Sequence, residues 1–308
     1  MSEGARAVLA QHGKSFRFAG AFLSDTALDD AAVAYAFCRA VDDAVDEAAS
    51  TRAAAEAVVA LQAEVSGTSE PRPVVRDFLV VCARTGLDPR FAHELLNGMA
   101  DDAAPTVVFH DDQTLLRYCY RAAGTVGGMM CAVLGVRAKE ALPFAIDLGV
   151  GMQLTNICRD VVEDAARGRV YLPQQRLSKT PDAVVDVVRD LLALAERYYA
   201  SGEQGLRFIP WRSRLAVLIA GRLYRGIGRK LLRLHGDPRR GRVSTTVVEK
   251  IVIACGGLLS VFFLPRRGSH DASLHAALSG LPGCEQRVGG EQPRLQAQGY
   301  APPGVRAP

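Results

Sequence analysis

Gln153-Leu154-Thr155-Asn156-Ile157-Cys158-Arg159-Asp160-Val161-Val162-Glu163-Asp164 is the stretch that decides the fold class. Gln153, Asn156, Asp160 and Asp164 fall at i, i+3, i+7 and i+11, which is one stripe of an α-helix. Leu154, Ile157, Val161 and Val162 surround that stripe with apolar side chains. A solvated face would carry lysine and glutamate, so the polar stripe is expected to point into a cleft. The same periodicity extends the predicted helix over 138–165.

Outward from this segment the chain keeps the same character. Alanine- and leucine-rich runs at helical spacing predict helices over 25–48, 51–66, 73–85, 90–99, 112–134, 182–205, 212–235 and 244–264. Asp25 precedes one run, Gly67 follows another, Pro181 suits a first helical turn, and Gly236-Asp237-Pro238 stops a third. No series of alternating β-branched strands occurs, so the fold class is all-α. No fixed-period repeat and no Gly-, Ser- or Pro-rich linker divides residues 1–265, which read as one helical domain. Residues 266–308 are Gly- and Pro-rich with few large apolar side chains. They are expected to form a mobile tail, removable without loss of activity.

Composition narrows the function classes. The 308 residues are 49% hydrophobic and 23% charged, and 37 basic against 33 acidic side chains leave a formal charge of +4. That balance suits a globular protein and makes nucleic acid an unexpected partner. Seven cysteines without a CxxC pair read as reduced core thiols of a cytoplasmic protein. The first residues carry an acid and lack the apolar run of a signal peptide. The longest apolar run, 251–264, is 14 residues, short of the roughly 20 needed to span a bilayer. It reads as a buried core helix or as a peripheral contact with the inner membrane surface.

A second acidic pair lies in Arg39-Ala40-Val41-Asp42-Asp43-Ala44-Val45-Asp46-Glu47. Asp42 and Asp46 stack four residues apart on one helical face, and like charges so placed call for a cation between them. Hard carboxylate oxygens, few in number, suit magnesium, which completes its octahedron with water and substrate phosphate oxygens. Two such pairs with amide and arginine companions therefore imply a cavity for a magnesium diphosphate. Arg39, Arg159, Arg169 and Lys14 are candidates to balance phosphate charge, with plain surface solvation as the alternative.

Four separated segments then resemble the squalene and phytoene synthase family. They are His12-Gly13-Lys14-Ser15-Phe16, Tyr35 through Asp46, Tyr118 through Gly127 and Gln153 through Asp164, and Gly168-Arg169-Val170-Tyr171-Leu172-Pro173 continues the match. The resemblance spans about residues 12–260. It implies an isoprenoid synthase fold, a single helical bundle around a central cavity, in which two prenyl diphosphates are joined head to head with magnesium, manganese being the alternative ion.

By motif matching, the resemblance makes Asp42, Asp46, Asp160 and Asp164 the catalytic, metal-binding carboxylates. It makes Ser15, Phe16, Tyr35, Arg39, Tyr118, Val126, Gln153, Asn156, Arg159, Tyr171 and Tyr224 substrate-binding residues, with Tyr118 and Tyr171 expected to line the cavity. Gly124 through Met130 serve either close helix packing or the approach of a prenyl chain. The resemblance is nearest to bacterial phytoene synthases, which use two geranylgeranyl diphosphates. Squalene, dehydrosqualene and presqualene diphosphate synthases, working on farnesyl diphosphate, stand as alternatives, as does a helical scaffold or membrane-surface protein that kept the fold.

Other signals weigh less. No GxGxxG follows a strand, so no nicotinamide cofactor is expected. His93-Glu94-Leu95-Leu96-Asn97 lacks the second histidine of a zinc-protease helix, and the six histidines show no spacing suited to a metal. Asp101, Asp102, Asp111 and Asp112 read as a solvated connection. Arg222, Arg225, Arg229 and Arg233 form a basic stripe, followed by Arg239, Arg240 and Arg242, that suits either solvent or anionic lipid. Oligomeric state leaves no trace in the sequence.

Overall fold

The computed structural model describes residues 2–12, 23–104, 106–177, 182–260 and 268–285. Ser15, Phe16, Lys14 and Pro181 lie outside the described residues, as do 286–308. Among the described residues eleven α-helices run in order: α1 (Ser2–His12), α2 (Asp25–Asp46), α3 (Thr51–Val65), α4 (Pro73–Thr85), α5 (Arg90–Asp102), α6 (Asp112–Cys119), α7 (Thr125–Val133), α8 (Leu142–Ala166), α9 (Ala183–Gly205), α10 (Trp211–Arg233) and α11 (Val247–Ser260). The all-α expectation holds.

Local chemistry explains the boundaries. Ser24 and Ser50 accept backbone N–H bonds as N-caps of α2 and α3, Pro73 opens α4, and Gly86 closes it with φ 73°. α8 is the central element. It packs against α7, α9 and α10, and its middle turns are buried among them. By length and composition it could cross a bilayer, yet most of it faces other helices. α7 reaches α8 closely because Gly127 and Gly149 carry no side chain: a Cβ on Gly127 would lie 2.1 Å from the Ala145 carbonyl oxygen, and one on Gly149 would lie 2.2 Å from that of Ala123. Helix packing is thus a firm role for this glycine stretch.

Four features depart from the sequence reading. The predicted helix over 112–134 is interrupted by a π-turn, Tyr120–Gly124, where one extra residue is accommodated between α6 and α7. A two-residue parallel ladder, β1 (Val107–Val108) with β2 (Arg169–Val170), ties the α5–α6 connection to the chain leaving α8. Such short pairing is set by tertiary contact and leaves no periodic signal.

The expected tail also differs. Residues 268–285 fold against the bundle through a 3₁₀ segment, Ala272–Leu278, and bury Leu274, Leu278, Leu281 and Cys284. The Tyr198 and Tyr120 hydroxyls donate to the carbonyls of Leu274 and Pro282, both at 2.7 Å. Four well-placed apolar side chains and these caps outweigh a Gly- and Pro-rich composition. Finally, α11 is only partly covered: Ile253 packs on Leu215, Ile219 and Leu223, while Val248, Ile251 and Val252 are exposed, so the start of the 251–264 run is not wholly buried, and 261–264 lie outside the described residues. All seven cysteines are free thiols, and Cys255 is exposed rather than in the core.

Candidate active site

A cavity of about 370 Å³ opens between α2, α7, α8, α9 and α10. Its wall is built from leucine, alanine, methionine and glycine, with Phe144, Leu148 and Met152 on α8. Polar groups collect where Tyr35 and Asp42 of α2, Asn156 of α8 and Tyr224 of α10 contribute to the lining. An apolar chamber with one polar end suits a substrate with a long hydrocarbon and a charged head.

Of the acidic residues of α2, Asp42 lines that end. Asp42 is half-buried, and no hydrogen bond reaches its carboxylate among the described residues. Burial first, then the like charges of Asp46, Asp43 and Asp102, push its pKa up to about 7 against the opposing pull of Arg39. Arg39 pairs with Asp43 one turn on. Asp46 sits 2.9 Å from the Arg169 guanidinium.

On α8, Asp160 is held by two arginines. Arg159 Nε donates to its Oδ1 at 2.7 Å and Arg242 Nε at 2.9 Å. Burial would raise the Asp160 pKa, but these two cations outweigh it and the group stays below the usual carboxylate range. Asp164 has no such support. Burial and the neighbouring Asp160 charge push it up to about 6, opposed by Arg169 and Arg167.

The two acidic pairs meet electrostatically through Asp102 and Arg169. Asp102 raises both Asp42 and Asp164, while Arg169 lowers Asp102 and Asp164 and pairs with Asp46. Asp102 is buried, not solvated as the sequence suggested. The Tyr118 hydroxyl donates to its Oδ2 at 2.7 Å and the Tyr171 hydroxyl to its Oδ1 at 2.8 Å. Burial still carries its pKa up to about 6. The rings of Tyr118 and Tyr171 stack at 5.0 Å, with Phe109 beside both. The β1–β2 ladder sets this arrangement, because it fixes Arg169 and the following Tyr171 against the end of α5. A sequence signal for Asp102 exists only in hindsight: it ends an amphipathic helix whose preceding turn is buried.

Of the residues matched to substrate binding, Tyr35, Val126, Asn156 and Tyr224 line the cavity with Asp42. Gln153 lies beside Asn156, whose amide reaches its Oε1 at 3.4 Å. Tyr224 feels Arg159 and Asp160 across the cleft and also faces Tyr35. Tyr118 and Tyr171 do not line the cavity, contrary to expectation; they brace Asp102 from behind. Three members of the basic stripe join α10 to α9: Arg225 and Arg229 lie 2.6 and 3.0 Å from Glu196, and Arg222 lies 3.5 Å from Glu203.

A fit for a metal diphosphate is testable on unsatisfied atoms. Arg39 Nε, a donor, and Asn156 Oδ1, an acceptor, are buried without a hydrogen-bond partner among the described residues. Buried orphans of this kind are costly unless a ligand engages them. The donor set of carboxylates, one amide oxygen and flanking arginines fits a hard divalent cation with a phosphate group.

Comparison with known proteins agrees. The model of the family described as squalene/phytoene synthase matches residues 9–249. The chain is similar to a phytoene synthase of Pseudescherichia vulneris, 35% identical over 80% of this chain and 87% of that protein. It is also similar to a 15-cis-phytoene synthase of Enterobacter agglomerans, 33% identical over 85% of this chain and 97% of that one. In fold it resembles a crystallised dehydrosqualene synthase, with a TM-score of 0.73 and 24% identity over 84% of this chain and 95% of that one. The chain therefore belongs to the squalene/phytoene synthase family, prenyltransferases that condense their substrates head to head.

Proposed function

We propose that this protein joins two geranylgeranyl diphosphates into phytoene, through a cyclopropylcarbinyl diphosphate, as a step of carotenoid biosynthesis. The observation that carries the reading is the placement of Asp42 at the polar end of an otherwise apolar cavity, with Asp46, Asp160 and Asp164 coupled to it through Asp102 and Arg169. The names of the similar phytoene synthases support the C20 substrate. A squalene- or dehydrosqualene-type reaction on farnesyl diphosphate is the alternative.

In this reading Asp42, Asp46, Asp160 and Asp164 hold magnesium, which when bound supplies Lewis-acid stabilisation of the departing diphosphate. Arg39, Arg159 and Arg169 balance the phosphate charge, and Asn156 and Gln153 orient the head group. Tyr35 and Tyr224 close the polar end, while Leu148, Met152 and Val126 keep water from the allylic cation. Braced by two tyrosine hydroxyls, Asp102 keeps Arg169 directed toward the acids. No residue here is assigned to a nicotinamide.

A C40 hydrocarbon has to leave for lipid, and the exposed Val248, Ile251 and Val252 of α11 give a face for peripheral membrane contact. Liposome flotation of Val252→Asp against the parent protein tests that contact. The reaction itself is tested by feeding C15 and C20 diphosphates separately with magnesium. Phytoene from the C20 substrate supports the proposal, a C30 product alone selects the alternative, and failure to form a hydrocarbon or a coupled prenyl diphosphate from either substrate ends the enzymatic reading.

A further inference from the structure

On α8, well before its acidic end, Asp147 is fully buried. Its Oδ2 lies 2.8 Å from His270 Nε2 and its Oδ1 lies 2.8 Å from His275 Nε2. The Ser201 hydroxyl of α9 donates to Oδ2 as well. The histidines, spaced too irregularly along the chain to signal a site in the sequence, are brought together by the folded 268–285 segment. One ring nitrogen of each histidine and a carboxylate oxygen lie within 4.8 Å of one another. Thirteen residues of helix, about 20 Å, separate Asp147 from Asp160, so this cluster is remote from the diphosphate mouth.

Charge makes the cluster unusual. A buried carboxylate ordinarily needs a cation, yet no arginine or lysine pairs with Asp147 among the described residues; its only ionisable partners are two imidazoles, cations only when protonated. Its pKa is nevertheless held below the usual range. Burial pushes it up, and the hydrogen bonds from His270, His275 and Ser201 outweigh that. The carboxylate is therefore ionised, and two ring nitrogens converge on it from one rigid segment. Phe144 meets the His270 ring edge-on at 5.4 Å and fixes its orientation.

We infer that Asp147, His270 and His275 form a binding site for a zinc ion, which clips the C-terminal segment to α8. Two imidazoles and one carboxylate are a donor set suited to zinc rather than to magnesium, whose ligands are hard oxygens. Ligand distances of about 2.0–2.2 Å require only that the hydrogen-bonded atoms open slightly around the ion, with Ser201 or solvent in the fourth position. Binding at Nε2 displaces the proton that now points at Asp147, which a neutral ring carries on Nδ1 instead, and places two positive charges beside a buried negative one. Because Phe144 also lines the apolar cavity, the clip stiffens the wall behind the prenyl chain.

The test uses full-length protein stripped with chelator and returned to excess magnesium, then titrated with zinc chloride. The parent protein is expected to bind one equivalent tightly and to gain thermal stability, while His270→Gln/His275→Gln binds it on the order of 100-fold more weakly and gains none. Equal zinc affinity in the two proteins overturns the assignment. X-ray absorption at the zinc edge of the one-equivalent parent complex gives an answer that needs no variant. Two imidazoles in the first shell support the site; an oxygen-only shell, or failure to take up zinc, refutes it.

Discussion

Asp42 and Asp147 are both carboxylates set within long helices against apolar neighbours, and burial pushes both upward; they end on opposite sides of the ordinary value. Asp147 receives three hydrogen bonds and is held low, whereas Asp42 has none among the described residues and rises to about 7 among like charges. Asp147 is held ionised by donors that protein groups supply, whereas Asp42 is left short of them at the polar end of the cavity, at a cost in stability the fold must tolerate. The pairing around Asp160 lies between these cases, since Arg159 and Arg242 keep it ionised while leaving room for a ligand's cations to compete.

The contrast breaks most visibly through catalysis. Asp42→Ala and Asp160→Ala are expected to lower turnover with prenyl diphosphate by on the order of 10²–10³-fold or more, with far-ultraviolet circular dichroism unchanged. A fully active variant at either position removes the metal-binding assignment. Asp147→Ala should behave in reverse: with chelator present it loses roughly 1–3 kcal/mol of stability, because His270, His275 and Ser201 are stranded, while folded molecules assayed after return to magnesium keep most of their turnover. Chemical denaturation read beside activity separates the two behaviours.

Acidity sharpens the comparison further. In the folded, metal-free protein Asp42 titrates near 7 and Asp164 near 6, against 3.8 when unperturbed. Between about pH 4 and 7 the native state therefore binds more protons than the unfolded chain, so these groups make stability fall as pH rises through that window. Asp42→Asn, a neutral mimic of the protonated acid, should melt higher than the parent at pH 8 without metal, by a smaller margin at pH 5, and match it only below about pH 4. Asp147 has the opposite sign: its contribution is present above the ordinary carboxylate pKa and is lost as pH falls below it. Magnesium competes with protons at the mouth, so its apparent affinity should weaken as pH drops from about 8 to 6.

How much of this was legible in the chain follows the range of the forces involved. The acidic pairs were readable because four-residue spacing on a helix is local, and the helices around them follow from 3.6-residue periodicity. Asp102 was not, since its burial depends on Tyr118 and Tyr171, 16 and 69 positions away. The same holds for Asp147 with His270 and His275, 123 and 128 positions distant. Composition misled for residues 268–285, where Leu274, Leu278 and Leu281 outweigh the surrounding glycine and proline. Cutting the chain at residue 265, which composition alone would allow, should instead expose the sides of Tyr120 and Tyr198 and strand Asp147.

The smallest expected effect lies at Asp102, intermediate between the satisfied and the unsatisfied carboxylate. Two tyrosine hydroxyls lower its pKa, and burial still raises it to about 6. Tyr171→Phe removes one donor, leaves the ring stacked on Tyr118, and should cost about 0.5–1.5 kcal/mol of stability. With one donor gone, Asp102 climbs further and stays protonated to higher pH, so it no longer anchors Arg169 as an anion. The acid limb of the activity profile should then move to higher pH, with the substrate concentration for half-maximal rate rising more than the maximal rate falls. A profile unchanged in position would mean that Asp102 only fills space behind the site, and Tyr118→Phe, which removes the other donor, would be expected to repeat that result.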